Sequence, residues 1–504
     1  MYKRLWQTTA FIMVLALAIS ACAQATPSPT VAPTSSVPPT AAPTTAPTTP
    51  ATAAPTTAPT TPATEAPTSE ATAAPTPLPT VPSTPQEKVA AAEAAALAAA
   101  GGSKIGGEVS FIGPWGGSEQ SAFEAVFAPF ENATGITVNY TGTRDVATIL
   151  TTRVTAGNPP DLADFSTPGL LMQFQSLGAL QDLSKVLDMT QIANQYASTW
   201  VDLGTYGGEF VAQIFKVSTK GDIWYAPKVW TADNLQIPAT WDDMITLSNN
   251  LISQGYTPWC MALSSGSASG WPGTDWLEDI VLRQAGLDVY NQWWKGTIKW
   301  TSPEITKAWQ TWGTIAGNPA MLFGGVNRTL STPFQNDADP LYTNPPGCYM
   351  DHQGSFMSGF IAADYPDLVA GEDYNFFSFP PFSASAAASL EVGGDLLGQF
   401  TDTPQAQAFM RYLSTAEAQD IWALIGGGYL SANLLIPPTD YPDVLSQKSG
   451  QQLLDAKVVA FDASDNMPPA MTNAFYSAVL DFIQTPSDLT SILQNLDSVQ
   501  SSSY

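Results

Sequence analysis

Between Thr26 and Gln86 the chain carries 17 Pro, 19 Thr and 13 Ala in 61 residues, with no aromatic residue and no Ile. Repeats such as APTTAPTTP fill it. A stretch this poor in large apolar side chains buries too little surface to offset the entropy of ordering it. Its prolines favour extended polyproline II at about 3.1 Å per residue, so its reach is at most roughly 190 Å. Its threonines also offer O-glycosylation sites. Packed structure is therefore expected only beyond it, in a body running from about residue 105 to residue 504. A body of that length is expected to divide into two or three domains.

The segment ahead of the tract reads MYKRLWQTTAFIMVLALAISAC. Lys3 and Arg4 form a basic start, and Ala10 to Ile19 is an unbroken apolar run. That run suits the apolar region of a secretory signal and is too short for a stable bilayer span. Ile19-Ser20-Ala21-Cys22 resembles the bacterial lipoprotein box, which implies removal of residues 1–21 and lipidation of Cys22. More than one acyl chain gives stable anchoring. The expected location is the outer, extracytoplasmic face of the cell membrane. No later segment is long and apolar enough for a transmembrane helix. Residues 22–104 read as a lipid-anchored stalk, with Glu87 to Ala100 as a short exposed Ala-rich helix.

Charge narrows the ligand. There are 18 basic residues against 44 acidic ones, a net charge of −26, which argues against nucleic acid and polyphosphate partners. The 15 Trp and 11% aromatic content suit a neutral polar ligand held against aromatic faces, although most tryptophans of any large core are simply buried. One histidine, His352, rules out multi-histidine metal sites and leaves a structural role as its expected one. No cofactor and no metal ligand set is read from the sequence.

The body opens with alternating strands and helices. Glu108 to Ile112 reads as a strand, Gln120 to Ala133 as a helix, and Ile136 to Tyr140 as a strand. A helix over Val146 to Ala156, a short strand Leu162 to Phe165 and a helix from Pro168 follow. Such alternation predicts an open, mainly parallel α/β sheet, with ligands bound at loops beyond the strand C-termini. GPWGGSE (113–119), TGTRD (141–145) and FSTPG (165–169) are loops of that kind. After Trp230 the pattern turns helical, and strands return at Asn375 to Pro380 and Glu391 to Phe400.

In order, the blocks GPWGGSE, a helix, TGITVNY, AGNPPD, STKGDIWY, YLSTAEAQDIWA and GGGYLSAN resemble the family 1 extracellular solute-binding proteins of ABC importers, the maltose-binding-protein-like group. TPWC, GWPGTDWLEDIVLR and PPGCYM resemble members linked with α-glucosides. The likeness covers about residues 105–495. It implies a type II periplasmic-binding-protein fold: two α/β lobes, each a mainly parallel sheet flanked by helices, joined by crossover hinges. It places lobe 1 at 105–216 and 380–426 and lobe 2 at 217–379 and 427–504. It puts the crossings near Ala212 to Val217, Asn375 to Pro380 and Gly426 to Tyr429. It implies a monomeric receptor without catalysis that hands a small carbohydrate to the permease subunits of an ABC importer.

Sugar sites combine aromatic faces with charged or amide groups around a rim of hydroxyls. In the first lobe the candidates are Trp115, Ser118 and Glu119, then Arg144 and Asp145, then Ser166; Ser118, Glu119 and Asp145 could equally cap helices. On the first crossing they are Lys216, Ser218, Thr219 and Lys220, with an interlobe salt bridge as the other reading of each lysine. In the second lobe they are Trp271 and Asp275, with Trp276 and Leu277 read as core. Gly394 and Asp395 in EVGGDLLGQF, and Tyr429 in GGGYLSAN, complete the set. Cys260 and Cys348 remain once Cys22 is lipidated, and an extracytoplasmic pair is expected to be oxidised. Competing functions are a receptor for a polyol, glycerophosphodiester or polyamine, a secreted glycoside hydrolase, and an adhesive surface protein.

Overall fold

A computed structural model describes residues 85–383 and 389–504. The signal, Cys22 and residues 26–84 of the Pro/Thr tract lie outside the described residues. Among the described residues no helix is long and apolar enough to cross a membrane.

The body opens with strand β1 (Gly107–Gly113), the helix Ser118–Thr134, β2 (Ile136–Gly142), the helix Val146–Thr155 and β3 (Leu162–Phe165). In the Ser118–Thr134 helix, Ala122, Phe123, Val126, Phe127 and Phe130 fall on one face and are buried. It stops at Gly135, whose φ of 67° is the left-handed cap glycine accepts without strain. β2 and β3 flank β1 in parallel register.

The hairpin of β4 (Thr205–Tyr206) and β5 (Glu209–Phe210) leads into β6 (Ala212–Thr219), then β7 (Asp222–Tyr225). Further on come β8 (Asp351–Gln353), β9 (Asn375–Ser378), the long β10 (Ser389–Gln399) and β11 (Val458–Phe461). One sheet has the order β11-β10-β3-β1-β2, with β6 also paired to β10. β10 meets β11 along residues 389–392 and β3 along residues 396–399, while β6 runs antiparallel beside it. β10 and β6 therefore carry the chain between two cores.

One core gathers Val109, Phe111, Phe123, Leu171, Ile214, Leu397, Phe409 and Trp422. The other gathers Ile223, Trp259, Trp276, Trp293, Trp309, Trp312, Phe475 and Phe482. Most tryptophans of the second lobe are thus core. Cys260 and Cys348 are bonded in a third, smaller cluster of that lobe, their Cα atoms 5.5 Å apart.

The sequence expectation fails at four places in the fold. The second sheet, β8-β7-β9, is antiparallel throughout, not mainly parallel, because β7 and its neighbours run in opposite directions. Asn375–Ser378 pairs with β7 inside that sheet, so the second crossing is β10. The helix Pro85–Ala99 is not exposed: Ala92 and Ala96 are fully buried in the first core, and Lys88 pairs with Asp420 at 2.8 Å. Tyr429, Leu430, Ala432 and Tyr441 also join the first core, past the boundary expected at residue 426.

Candidate functional site

A cleft of about 520 Å³ opens between the two cores. The first lobe contributes the turn after β1, the Val146–Thr155 helix and Ser166 after β3. β6 and β10 form its back with Lys216, Ser218, Gly393, Gly394 and Asp395. The second lobe contributes Ser265, Trp271, Phe334, Phe356, Asp462, Asp465 and Tyr476.

Two sets of charges line it. On the first-lobe side, Glu119 accepts from Lys216 at 2.5 Å and from Arg144 at 3.1 Å. Asp395, 3.7 Å from Lys216, accepts from the Trp115 indole N–H at 3.1 Å and from the Ser166 hydroxyl at 2.8 Å. Burial works to raise the Glu119 carboxyl, but the Lys216 and Arg144 cations overrule it and hold it below its ordinary value. Burial works to lower Lys216, and Glu119 and Asp395 overrule it upward. Both stay charged at neutral pH.

On the second-lobe side, Lys220 reaches Asp275 at 2.9 Å and Asp462 at 3.2 Å, 4.7 Å above the Trp271 ring centre. Burial would lower Lys220; Asp275, Asp462 and Asp465 push it well above the ordinary lysine range. The acids behind it crowd one another. Burial, then the Asp462 charge, lifts Asp465 well above the carboxylate range.

Half-buried Trp271 is the aromatic face of the cleft. It opens the helix Trp271–Ala285, with Pro272 fixing the first turn. Its ring meets Phe334 edge-on at 4.8 Å and Phe356 at 5.9 Å. Arg144 of the first lobe lies 5.0 Å from the Phe334 ring centre, so a cation–π contact joins the lobes beside the indole. The arrangement offers flat apolar surface, ionised acceptors and ionised donors around one space, which is what a rim of hydroxyls requires.

The structure brings Trp115, Glu119, Arg144, Ser166, Lys216, Ser218, Trp271, Gly394 and Asp395 to the cleft. Trp115 borders it by an edge only: the residue is 1% exposed and packs against Phe123, Phe215 and Trp422. Five expected residues lie elsewhere. Ser118 precedes Glu119 by one helix position, roughly 100° around the axis, and does not line the wall. Asp145 instead accepts the Ser267 backbone N–H of the other lobe at 3.2 Å. Thr219 is buried and donates to Asp222 at 2.7 Å. Asp275 sits behind Lys220. Tyr429 is fully buried, stacked on Trp422 at 5.0 Å, with its hydroxyl donating to the Phe215 carbonyl.

Trp276, Leu277 and His352 are core. His352 bonds Asp279 at 3.0 Å and stacks on Trp276, and burial first of all lowers its pKa.

Sequence reasoning missed Thr148, Thr151 and Thr152, which line the cleft from one face of a helix at a legible three-to-four spacing. It missed Asp462 and Asp465, although DASDN follows β11 just as the first-lobe loops follow their strands. Nothing local marks Phe334, Phe356 or Tyr476, which distant packing brings in.

A family profile described as bacterial extracellular solute-binding protein matches residues 116–420. The osmoprotective compounds-binding protein GgtB of Synechocystis sp. is 37% identical over 77% of this chain and 91% of its own. The alpha-glucosides-binding periplasmic protein AglE of Rhizobium meliloti is 33% identical over 75% of this chain and 84% of its own. Among solved structures, the solute receptor AcbH superposes with a TM-score of 0.67 at 21% identity, over 78% of this chain and 98% of its own. A chitin oligosaccharide binding protein superposes at 0.68 and 16% identity, over 79% and 98%. These two likenesses speak for the fold.

Proposed function

Because the chain belongs to the bacterial extracellular solute-binding protein family, we propose that its cleft binds a neutral carbohydrate, a mono- or short oligosaccharide of α-glucoside type, for an ABC importer. The observation that carries this is half-buried Trp271, with Phe334 and Phe356 behind it, facing the Glu119–Lys216–Asp395 set. Counted with Arg144, that set has two carboxylates against two cations, so the first-lobe wall asks for no net charge on the ligand. It presents charge-assisted partners for hydroxyls, while the indole covers a C–H face. The cleft volume is within the range of small-molecule sites. The relative named for alpha-glucosides supports the subclass.

The protein acts in this reading as a receptor, with permease subunits as its partners, and as a monomer. It is anchored by lipid on Cys22, with residues 26–84 as a tether on the outer face of the membrane. A second reading, a polyol-like osmoprotectant, is favoured by the relative named for osmoprotective compounds.

Tryptophan emission and melting temperature across a panel of neutral saccharides and polyols test both. A saccharide that shifts both signals, with affinity reduced at least tenfold in Trp271→Ala, is the expected result. A panel in which only polyols bind selects the second reading. No response to any neutral compound defeats both.

A further inference from the structure

In and behind the second-lobe wall, six carboxyl groups crowd around few bases, and their partners separate them. Asp279 is matched by Arg283 and by His352 at 3.0 Å. Glu278 accepts from the backbone N–H of Ala463 at 2.5 Å and of Ser464 at 3.2 Å, and from the Tyr290 hydroxyl at 3.3 Å. Asp465 faces the cleft. Lys220 serves Asp275 and Asp462.

Glu391 is left over. It is 0% exposed, and neither of its side-chain oxygens has a hydrogen-bond partner. One oxygen of Asp275 is likewise without a partner. One oxygen each from Asp275, Glu391 and Asp462 lies within 4.8 Å of the other two. A buried carboxyl group with both oxygens unmatched is costly in either protonation state, and here it lies beside two more carboxyl groups.

We propose that Asp275, Glu391 and Asp462 hold a divalent cation of the calcium class. The donors are all carboxylate oxygens, the set hard cations select over softer metals. The charge closes as well once all three ligands are ionised on binding: three carboxylates against the Lys220 ammonium leave two negative charges, which one divalent ion neutralises. Asp462 and Lys220 border the cleft, so the site lies directly behind it. The three ligands come from the Trp271–Ala285 helix, from β10 and from the residue that follows β11. The ion therefore ties the crossing strand to the second lobe. It stands independently of which solute fills the cleft.

The full chain, stripped with EDTA, is titrated with CaCl2 and separately with MgCl2. Native mass spectrometry and melting temperature are the readouts. One Ca²⁺ per chain and a rise of about 5 °C at saturation are expected. Glu391→Gln should bind none, and its melting temperature in EDTA should equal or exceed that of the unsubstituted chain. Asp481→Asn, on the surface, should keep both the ion and the rise. If Glu391→Gln does not fold, Asp275→Asn takes its place, and loss of the ion there supports the site. Absence of stoichiometric binding of either metal, or full retention of it by these ligand variants, overturns the proposal.

Discussion

Trp115 and Trp271 both border the cleft, but their rings sit in different surroundings. Trp115 packs among Phe123, Phe215 and Trp422 and holds Asp395 through its indole N–H. Trp115→Ala should therefore cost about 3–5 kcal/mol of folding stability, read by urea unfolding. Trp271→Ala should change stability far less and reduce ligand affinity at least tenfold, read by fluorescence titration. Equal losses of stability in the two variants would refute the distinction. The sequence marks the strand-to-helix turn by its glycines, and Gly117 there takes a φ of 59°. It does not show which way the indole turns, because Phe215 and Trp422 arrive from far along the chain. Glu119 adds an acid-side prediction. Its folded carboxyl lies below the ordinary 4.5 because Lys216 and Arg144 outweigh burial, so its contribution is complete above pH 4.5 and fades as pH falls through the lowered value. Glu119→Gln should lose stability at pH 7, and the gap to the unsubstituted chain should narrow at an acid pH below 4.5 in urea unfolding. A gap that is the same at both pH values would remove Glu119 as its source.

Elements were far more legible than contacts. The helices Ser118–Thr134 and Val146–Thr155 and the strand Leu162–Phe165 fall where the apolar pattern puts them. Periodicity is a local property, and partner choice is not. Hence β9 was legible as a strand but not as part of the second sheet, and β10 was not legible as the crossing. The Pro85–Ala99 helix shows the opposite limit. PQEKVAAAEAAALAA has no apolar stripe, yet it packs because small alanines let it approach the Ser118–Thr134 and Ala416–Ile425 helices closely. The buried Lys88 ammonium then meets Asp420 at 2.8 Å and Asp440 at 3.5 Å. Ala96→Leu should overpack this contact at a cost of about 1–3 kcal/mol, and Lys88→Met should destabilise by leaving Asp420 without its cation. Both would lower the melting temperature, whereas a helix free of the body would show neither effect.

At the scale of the whole molecule, the lobes touch across the cleft mouth. Asp145 takes the Ser267 N–H, Arg144 covers Phe334, and Gly169 abuts the Met467 carbonyl so closely that a side chain there would collide with it. A β-carbon built on Gly266 would lie 3.7 Å from that of Arg144. That separation is the one a disulfide spans. The double substitution Arg144→Cys, Gly266→Cys should therefore cross-link the lobes on oxidation. Gly266 has a φ of 58°, so the cysteine there costs about 1 kcal/mol, which the closed loop offsets. If the crossing strands act as hinges, reduction frees the lobes to part, and the radius of gyration from X-ray scattering should rise relative to the oxidised form. Comparing one variant in two redox states removes the effect of losing Arg144 itself. Ligand association should be slow when the lobes are locked and recover on reduction, because a cleft that cannot open admits solute only through its mouth. Identical scattering and identical association rates in both states would mean that the lobes are fixed, and that solute enters without hinge motion.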